Sequence, residues 1–135
     1  MKGACHCGAV TIDLPGPPEY LNQCNCTACF KLGTLWGYYG GDRVTIAGGA
    51  KSYARADVTP PTISFDFCGT CGATIQWAPI AGESSARRGI NMRLFEPSEL
   101  NGIEVRYGDR RNHPAGEPRH YVRAATTFGD AGPVA

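Results

Sequence analysis

The stretch TISFDFCGTCGATIQWA, residues 62–78, holds two short segments rich in β-branched and aromatic residues, with a pair of cysteines between them. Residues 62–67 and 73–78 have the composition of β-strands. Cys68 and Cys71 form a CxxC pair, a spacing at which a tight turn brings two thiolates onto one metal ion. A glycine follows each cysteine and lets the backbone turn tightly, so that N–H groups can point at a thiolate. The stretch therefore predicts two strands that meet at one half of a metal site.

Short segments of the same kind recur along the rest of the chain, separated by turn residues. They are residues 9–14, 35–39, 43–47, 89–94, 103–107 and 120–123. The chain has 18 glycines and 10 prolines, and no window of a dozen residues has a clean apolar period of 3.6. Helix is expected only as single turns, at CTAC (residues 26–29) and at PSEL (residues 97–100). The sequence predicts an all-β domain built of short strands.

The length and the net charge of the chain limit its domain organisation and its possible binding partners. A chain of 135 residues predicts one domain, which we place at residues 1–125, with a weakly anchored C-terminal tail at 126–135 and a mobile loop at 108–118. The formal charge of +1 gives no reason to expect nucleic acid or an acidic membrane as a partner. No apolar run reaches the length of a signal peptide or the roughly 18 residues of a membrane span. A cytoplasmic protein is therefore expected.

The seven cysteines fall into three tight groups: Cys5 with Cys7, Cys24 with Cys26 and Cys29, and Cys68 with Cys71. Disulfide scaffolds normally have even cysteine counts in secreted chains, whereas clustered CxC and CxxC spacings indicate metal. Neither ferredoxin spacing is present, which favours zinc over an iron–sulfur centre.

Two of the groups have the spacing of half-sites for tetrahedral zinc, whose sulfurs lie about 3.8 Å apart when the bonds are about 2.3 Å long. Cys5 and Cys7 in ACHCGAV, joined with Cys68 and Cys71 in FCGTCGAT, would make a closed four-thiolate site that links the beginning of the chain to its middle. Such a site would have a structural role, because metal binding there would stabilise the fold. Spacing alone also allows other pairings of the seven thiols.

The third group, in QCNCTACF (residues 23–30), supplies three thiolates to one ion and leaves the fourth position open. An open position distinguishes catalytic from structural zinc. Two alternatives remain: a histidine (His6, His113 or His120) completes the site, or the three thiols stay free.

The segments KGACHCGAVTIDL, QCNCTACFKLG, FDFCGTCGATIQW, GINMRLFEP and PRHYVRA resemble, in this order, the domain shared by glutathione-dependent formaldehyde-activating enzymes and centromere protein V. The resemblance runs from about residue 2 to residue 123. It implies a β-tent fold of short antiparallel strands around zinc knuckles, with two zinc ions per chain. By resemblance Cys5, Cys7, Cys68 and Cys71 bind the structural zinc, and Cys24, Cys26 and Cys29 bind the zinc at which glutathione acts. The chain departs from the family pattern at Asn25, where a histidine is common, and at Phe30, where a basic residue is common.

The function implied is that of a carbon–sulfur lyase similar to S-(hydroxymethyl)glutathione synthase, which condenses glutathione with formaldehyde. A zinc ion held by three thiolates is a poor Lewis acid for a carbonyl and suits a thiol ligand better. Alternative functions are a zinc-stabilised binding module without catalysis, and a thiol or redox sensor.

A peptide-like thiol also brings carboxylates, which require cations around the pocket. Candidate substrate contacts are Lys31 and Arg93, with Arg87 and Arg88 as further cations, and Trp36 and Tyr38 as aromatic walls. His113 is a candidate for proton transfer.

Overall fold

The structure, a computed structural model, describes residues 1–114, 117–129 and 131–133. In these residues the strands are β1 Lys2–Ala4, β2 Val10–Asp13, β3 Leu21–Asn22, β4 Trp36–Gly40, β5 Thr45–Gly48, β6 Ala50–Ala54, β7 Ile63–Cys68, β8 Thr74–Pro79, β9 Arg87–Asn91, β10 Glu104–Arg106, β11 Thr126–Gly129 and β12 Gly132–Pro133. The helices are α1 Thr27–Leu32 and α2 Pro97–Leu100, with 3-10 turns at Gly41–Arg43 and Met92–Leu94. The predicted all-β class is confirmed, and both predicted helical turns are present.

The strands form two sheets. In the described residues the larger sheet has the order β12-β11-β10-β3-β4-β9-β8-β7-β6, and the smaller has the order β1-β2-β5. Every pair is antiparallel except β10 with β3, which is parallel. Residues 62–78 do form two adjacent strands, because β7 pairs with β8 from Ile63 opposite Pro79 to Phe67 opposite Thr74. The tent shape remains a prediction.

The apolar core has two parts. The main cluster contains Val10, Ile12 and Leu14, which alternate with exposed residues in and after β2, as expected of a strand with one buried face. A second cluster joins Cys26 and Cys29 to Trp36 and Phe65, all buried. Core packing therefore continues directly into the three-cysteine segment and holds it against β4 and β7.

Two predicted strands need correction. Residues 120–123 do not form a strand; Tyr121 makes a single bridge to Gly108, because Tyr121 and Val122 are exposed and no further residues pair. Residues 89–94 are a strand only as far as Asn91. There the Asn91 side chain accepts a hydrogen bond from the N–H of Arg93 and starts a 3-10 turn.

The expectation that the tail has little to anchor it is wrong for β11. This strand pairs with β10, and Phe128 is buried in the main core, with its N–H donating to the carbonyl of Ile103. Residues 130, 134 and 135 of the predicted tail, and 115 and 116 of the predicted loop, lie outside the described residues. The domain boundary at residue 125 remains a prediction.

Among the residues that the structure covers, no helix has the length and apolar character needed to cross a membrane.

Candidate metal centres and substrate cleft

The first cysteine group assembles from the beginning and the middle of the chain. The sulfur atoms of Cys5, Cys7, Cys68 and Cys71 all lie within 4.8 Å of one another. The Sγ of Cys7 is 3.6 Å from that of Cys5 and 3.7 Å from that of Cys68, close to the sulfur separation of about 3.8 Å in tetrahedral zinc. The structure thus brings together the two half-sites paired from the sequence, and the group could hold a metal ion.

Backbone N–H groups surround this four-sulfur group. The N–H of Val10 donates to Cys5 Sγ at 3.2 Å, and the N–H of Thr70 donates to Cys68 Sγ at 3.4 Å. Gly72, directly after Cys71, has φ of 77°, the left-handed conformation that this turn requires. Hydrogen bonds from the backbone of Cys71 and Thr70 lower the pKa of the Cys68 thiol to about 6, because they stabilise its thiolate. The turn therefore favours the form of the thiol that binds metal.

The second group consists of Cys24, Cys26 and Cys29, whose sulfur atoms also lie within 4.8 Å of one another. Helix α1 sets this arrangement. The Cys26 side chain caps the helix by accepting from the N–H of Cys29 at 3.5 Å, and Gly33 ends it in the left-handed conformation with φ of 63°. In the described part of the chain no histidine, aspartate or glutamate joins the three sulfurs within that distance. The group could hold a metal ion and leaves one side free for a ligand.

Two further side chains donate hydrogen bonds to this three-sulfur group. The indole Nε1–H of Trp36 donates to Cys29 Sγ at 3.2 Å, and Arg55 Nη1 lies 3.7 Å from Cys26 Sγ. Hydrogen bonds from the Cys24 and Cys29 thiols, helped by the charge of Arg55, lower the pKa of Cys26, whereas hydrogen bonding to Cys24 and Cys26 raises the pKa of Cys29. The hydrogen bonds within the group therefore favour the thiolate form at Cys26 over that at Cys29, and a cation there would favour ionisation of all three.

A cleft of about 420 Å³ opens over the three sulfurs. Its apolar walls include Trp36, Tyr38, Phe65 and Trp77; the Trp36 and Phe65 rings stack with their centroids 6.3 Å apart. The cations that line it are Arg55, Arg87, Arg110 and Arg119. A cleft with apolar walls, a few charged groups and a reactive cluster on one side has the form of a small-molecule site.

The predicted substrate contacts divide into two sets. Trp36, Tyr38 and Arg87 line the cleft. Lys31, on the last turn of α1, and Arg93 are exposed and are not among the residues that line it. Arg88 donates to the carbonyl of Ser84 and lies outside as well.

Sequence reasoning missed Arg55, Arg110 and Arg119. Arg55 directly follows β6, whereas Arg110 and Arg119 lie between β10 and β11. Only the tertiary fold brings these three residues to one cleft. No local motif marks them; a pattern search for cations near the cysteines in sequence finds Lys31 instead.

Family comparison agrees with this geometry. The family described as "Glutathione-dependent formaldehyde-activating enzyme" matches residues 1–102, which include all seven cysteines. The chain belongs to this family.

Two individual proteins are also similar to this formaldehyde-activating enzyme family member. It is 32% identical to a sorbitol dehydrogenase of Cereibacter sphaeroides over 71 residues, which are 49% of this chain and 28% of that protein. The chain thus spans little more than a quarter of the length of that curated relative. A solved structure of a Rhodobacter sphaeroides protein superposes with a TM-score of 0.61 at 24% identity, over 79% of this chain and 99% of the other. That likeness shows the fold alone.

In this family member two of the candidate histidines lie together at the rim of the cleft. His120 lines the cleft, and the His113 ring stacks on it with centroids 3.6 Å apart. His113 Nδ1 is 3.1 Å from Glu117 Oε2. His6 is exposed beside the four-sulfur group. Neither the stacked pair nor His6 supplies a fourth atom to the three-sulfur group in the described residues.

Proposed function

We propose that the chain binds a small thiol such as glutathione in the cleft and joins its sulfur to formaldehyde, in the manner of S-(hydroxymethyl)glutathione synthase, a carbon–sulfur lyase. The observation that carries this proposal is the three-sulfur group of Cys24, Cys26 and Cys29, which faces a cleft on its unligated side. Membership of the glutathione-dependent formaldehyde-activating family supports it.

The proposal assigns different roles to the two cysteine groups. Cys5, Cys7, Cys68 and Cys71 would hold a structural zinc ion, and Cys24, Cys26 and Cys29 a second one. Bound there, a zinc ion would supply an open position for an incoming thiol and would favour the thiolate form of that thiol at neutral pH. The three cysteines act as ligands and do not themselves attack the aldehyde.

The side chains around the second group have separate tasks. The N–H of Trp36 fixes the orientation of the Cys29 sulfur, and Arg55 offsets negative charge at Cys26. The aromatic walls formed by Tyr38, Phe65 and Trp77 exclude water from the reacting sulfur.

The reaction balances without an oxidant or reductant. The thiol sulfur forms a bond to the carbonyl carbon of formaldehyde, the π-electron pair moves to the oxygen, and the oxygen takes a proton. The thiol proton leaves in the same cycle. His120, which lines the cleft, is the candidate for carrying that proton between the thiol, the product oxygen and solvent.

Exchange NMR with ¹³C-formaldehyde and glutathione tests the proposal, because it measures the rate of adduct formation above the spontaneous rate. The wild type is expected to accelerate exchange, and Cys26→Ser is expected to lose the acceleration while circular dichroism shows the fold retained. Acceleration that survives in Cys26→Ser would contradict the assigned site. A wild type that keeps its metal but accelerates no low-molecular-weight thiol would instead support the binding-module alternative.

A further inference from the structure

Three arginine side chains surround the buried ring of Tyr20 beside the sulfur cleft. Arg87 Nη2 donates to the Tyr20 hydroxyl at 3.0 Å, and Arg119 Nη1 donates to the same oxygen. The Arg106 guanidinium carbon lies 3.9 Å from the centroid of the Tyr20 ring. Three positive charges therefore converge on one phenol.

In the part of the chain that the structure describes, only one of these three charges has a carboxylate partner. Arg106 pairs with Glu104. Among the described residues, no carboxylate oxygen lies within 4.0 Å of a nitrogen of Arg87 or Arg119. A guanidinium has five N–H donors, so each of these two keeps donors free after its bond to Tyr20. Close like charges are unfavourable unless an anion lies between or beside them, so this group has the electrostatic character of an anion site.

The position of the two arginines connects this group to the sulfurs. Arg87 and Arg119 line the cleft over the three-sulfur group, and they also line a neighbouring depression of about 640 Å³ that contains Tyr20 and Arg106. Tyr38 lies on the shared wall, with the Arg87 guanidinium 4.1 Å and the Arg119 guanidinium 5.9 Å from its ring centroid. A ligand whose sulfur lies at the cysteines can thus extend past Tyr38 to the two guanidinium groups.

We propose that Arg87 and Arg119 form a carboxylate subsite that selects anionic thiols as substrates. The inference rests on the proposed function for the end of the substrate that carries the sulfur. It adds that the charge of the opposite end of the substrate determines which thiols are accepted. The forked guanidinium donors match the two oxygens of a carboxylate. The Tyr20 hydroxyl holds both guanidinium groups in position by accepting their hydrogen bonds. Tyr38 separates the charged end of the substrate from its reacting sulfur.

Binding of S-methylglutathione, measured by calorimetry, tests the subsite independently of catalysis, since this ligand carries both carboxylates but no free thiol. Wild type is expected to bind it at least about tenfold more tightly than its diethyl ester, because losing charge-assisted hydrogen bonds costs about that much. In the double variant Arg87→Gln, Arg119→Gln the difference between acid and ester is expected to vanish.

Arg123→Gln is the matched control. Arg123 also packs over a tyrosine ring, 4.8 Å from the centroid of Tyr107, but it lines neither cavity, so the same loss of charge is expected to leave the preference for the acid unchanged. If Arg123→Gln lost the preference for the acid to the same degree, the preference would depend only on the net positive charge of the protein, and the subsite would be overturned. A wild type that binds acid and ester equally would also overturn it.

Adduct formation with 2-mercaptoethanol, which has no carboxylate, separates this inference from the proposed function. The double variant is expected to raise the KM for glutathione by a clearly larger factor than the KM for 2-mercaptoethanol. If no thiol is turned over but the acid is still preferred in binding, the proposed function fails and the subsite stands. If glutathione is turned over by the double variant with an unchanged KM, the subsite fails and the function stands.

Discussion

The indole N–H of Trp36 donates to the sulfur of Cys29 at 3.2 Å, and both residues are buried. Trp36 is the first residue of β4, whereas Cys29 lies in α1, so this bond joins the central sheet to the helix that carries the three-sulfur group. A hydrogen bond to a metal-binding sulfur fixes its orientation and tunes its charge. The aromatic core is thus part of the candidate metal centre.

Replacing Trp36 by Phe removes the donor but keeps an aromatic ring. We expect zinc at the three-sulfur group to be held about tenfold more weakly, as measured by competition with a chromophoric chelator. Phe65→Leu is the control, because Phe65 stacks on Trp36 and is also buried but has no N–H to donate to a sulfur. If both variants weaken zinc retention to the same degree, packing and not the hydrogen bond holds the site.

Gly89 lies opposite Trp77 in the β8–β9 pair, where a Cβ would come within 2.1 Å of the Trp77 indole nitrogen. Gly89→Ala should therefore displace Trp77, which lines the cleft, and lower the free energy of unfolding by about 1–3 kcal/mol. Thermal unfolding and tryptophan fluorescence measure both effects.

Gly49→Ala is the control for this substitution. Nothing lies within 4 Å of a Cβ at Gly49, so alanine there should leave fluorescence unchanged and raise stability by at most about 1 kcal/mol. A Gly89→Ala protein with wild-type fluorescence and stability would show that the β8–β9 contact is not close.

Asn25 joins the cysteine loop to the segment that follows β10. Its side-chain amide donates to Asp109 Oδ1 at 2.7 Å, and its side-chain oxygen accepts from the N–H groups of Arg110 and Arg111 at 2.8 and 2.9 Å. Asn25→Ala should destabilise the protein by about 1–3 kcal/mol, because Asp109 is buried and loses a partner. Amide exchange at residues 109–112 should become faster.

Asn112→Ala provides the comparison, since Asn112 also donates to Asp109 but lies within the same loop. Asn112→Ala should raise the rate of amide exchange at residues 109–112 less than Asn25→Ala does. Equal exchange in the two variants would mean that the loop is held by its own contacts and not by the cysteine segment.

The four-sulfur group bridges segments 61 residues apart, between Cys7 and Cys68. Cys68→Ser, or removal of metal by a strong chelator, should therefore abolish cooperative unfolding in calorimetry, because a structural metal site contributes folding free energy directly. Cys26→Ser should retain a cooperative transition, since serine can still cap α1 and the four-sulfur group is left intact. A cooperative Cys68→Ser protein would contradict the structural role.

The parts of the fold that were predictable from sequence are those with local signals. Val10–Asp13 alternates buried and exposed residues, and β7 and β8 have the β-branched and aromatic content of strands. Strand β6 was missed because all five of its residues are exposed, so only pairing with β7 defines it. Residues 120–123 carry a strand-like composition, but the fold offers them a single bridging partner at Gly108.

In the candidate site, too, the features with local sequence signals were predictable and those that depend on tertiary structure were not. Cysteine spacing predicted the local groups, because CxC and CxxC place ligand atoms by local geometry, but spacing alone left open that Cys5 and Cys7 join Cys68 and Cys71. The cleft cations were mostly missed. Arg55, Arg110 and Arg119 are far from the cysteines in sequence, and the approach of Arg119 to Tyr20 across 99 residues depends wholly on tertiary structure.

Titration of the cobalt(II)-substituted protein with glutathione tests the central claim most directly, because cobalt replaces zinc in thiolate sites and its absorption reports each bound sulfur. We predict that glutathione changes the charge-transfer bands in wild type, saturates at one thiol per chain, and leaves the spectrum of Cys26→Ser unchanged. A wild-type spectrum that does not respond to glutathione, or an equal response in Cys26→Ser, would contradict a three-sulfur group that receives the substrate thiol.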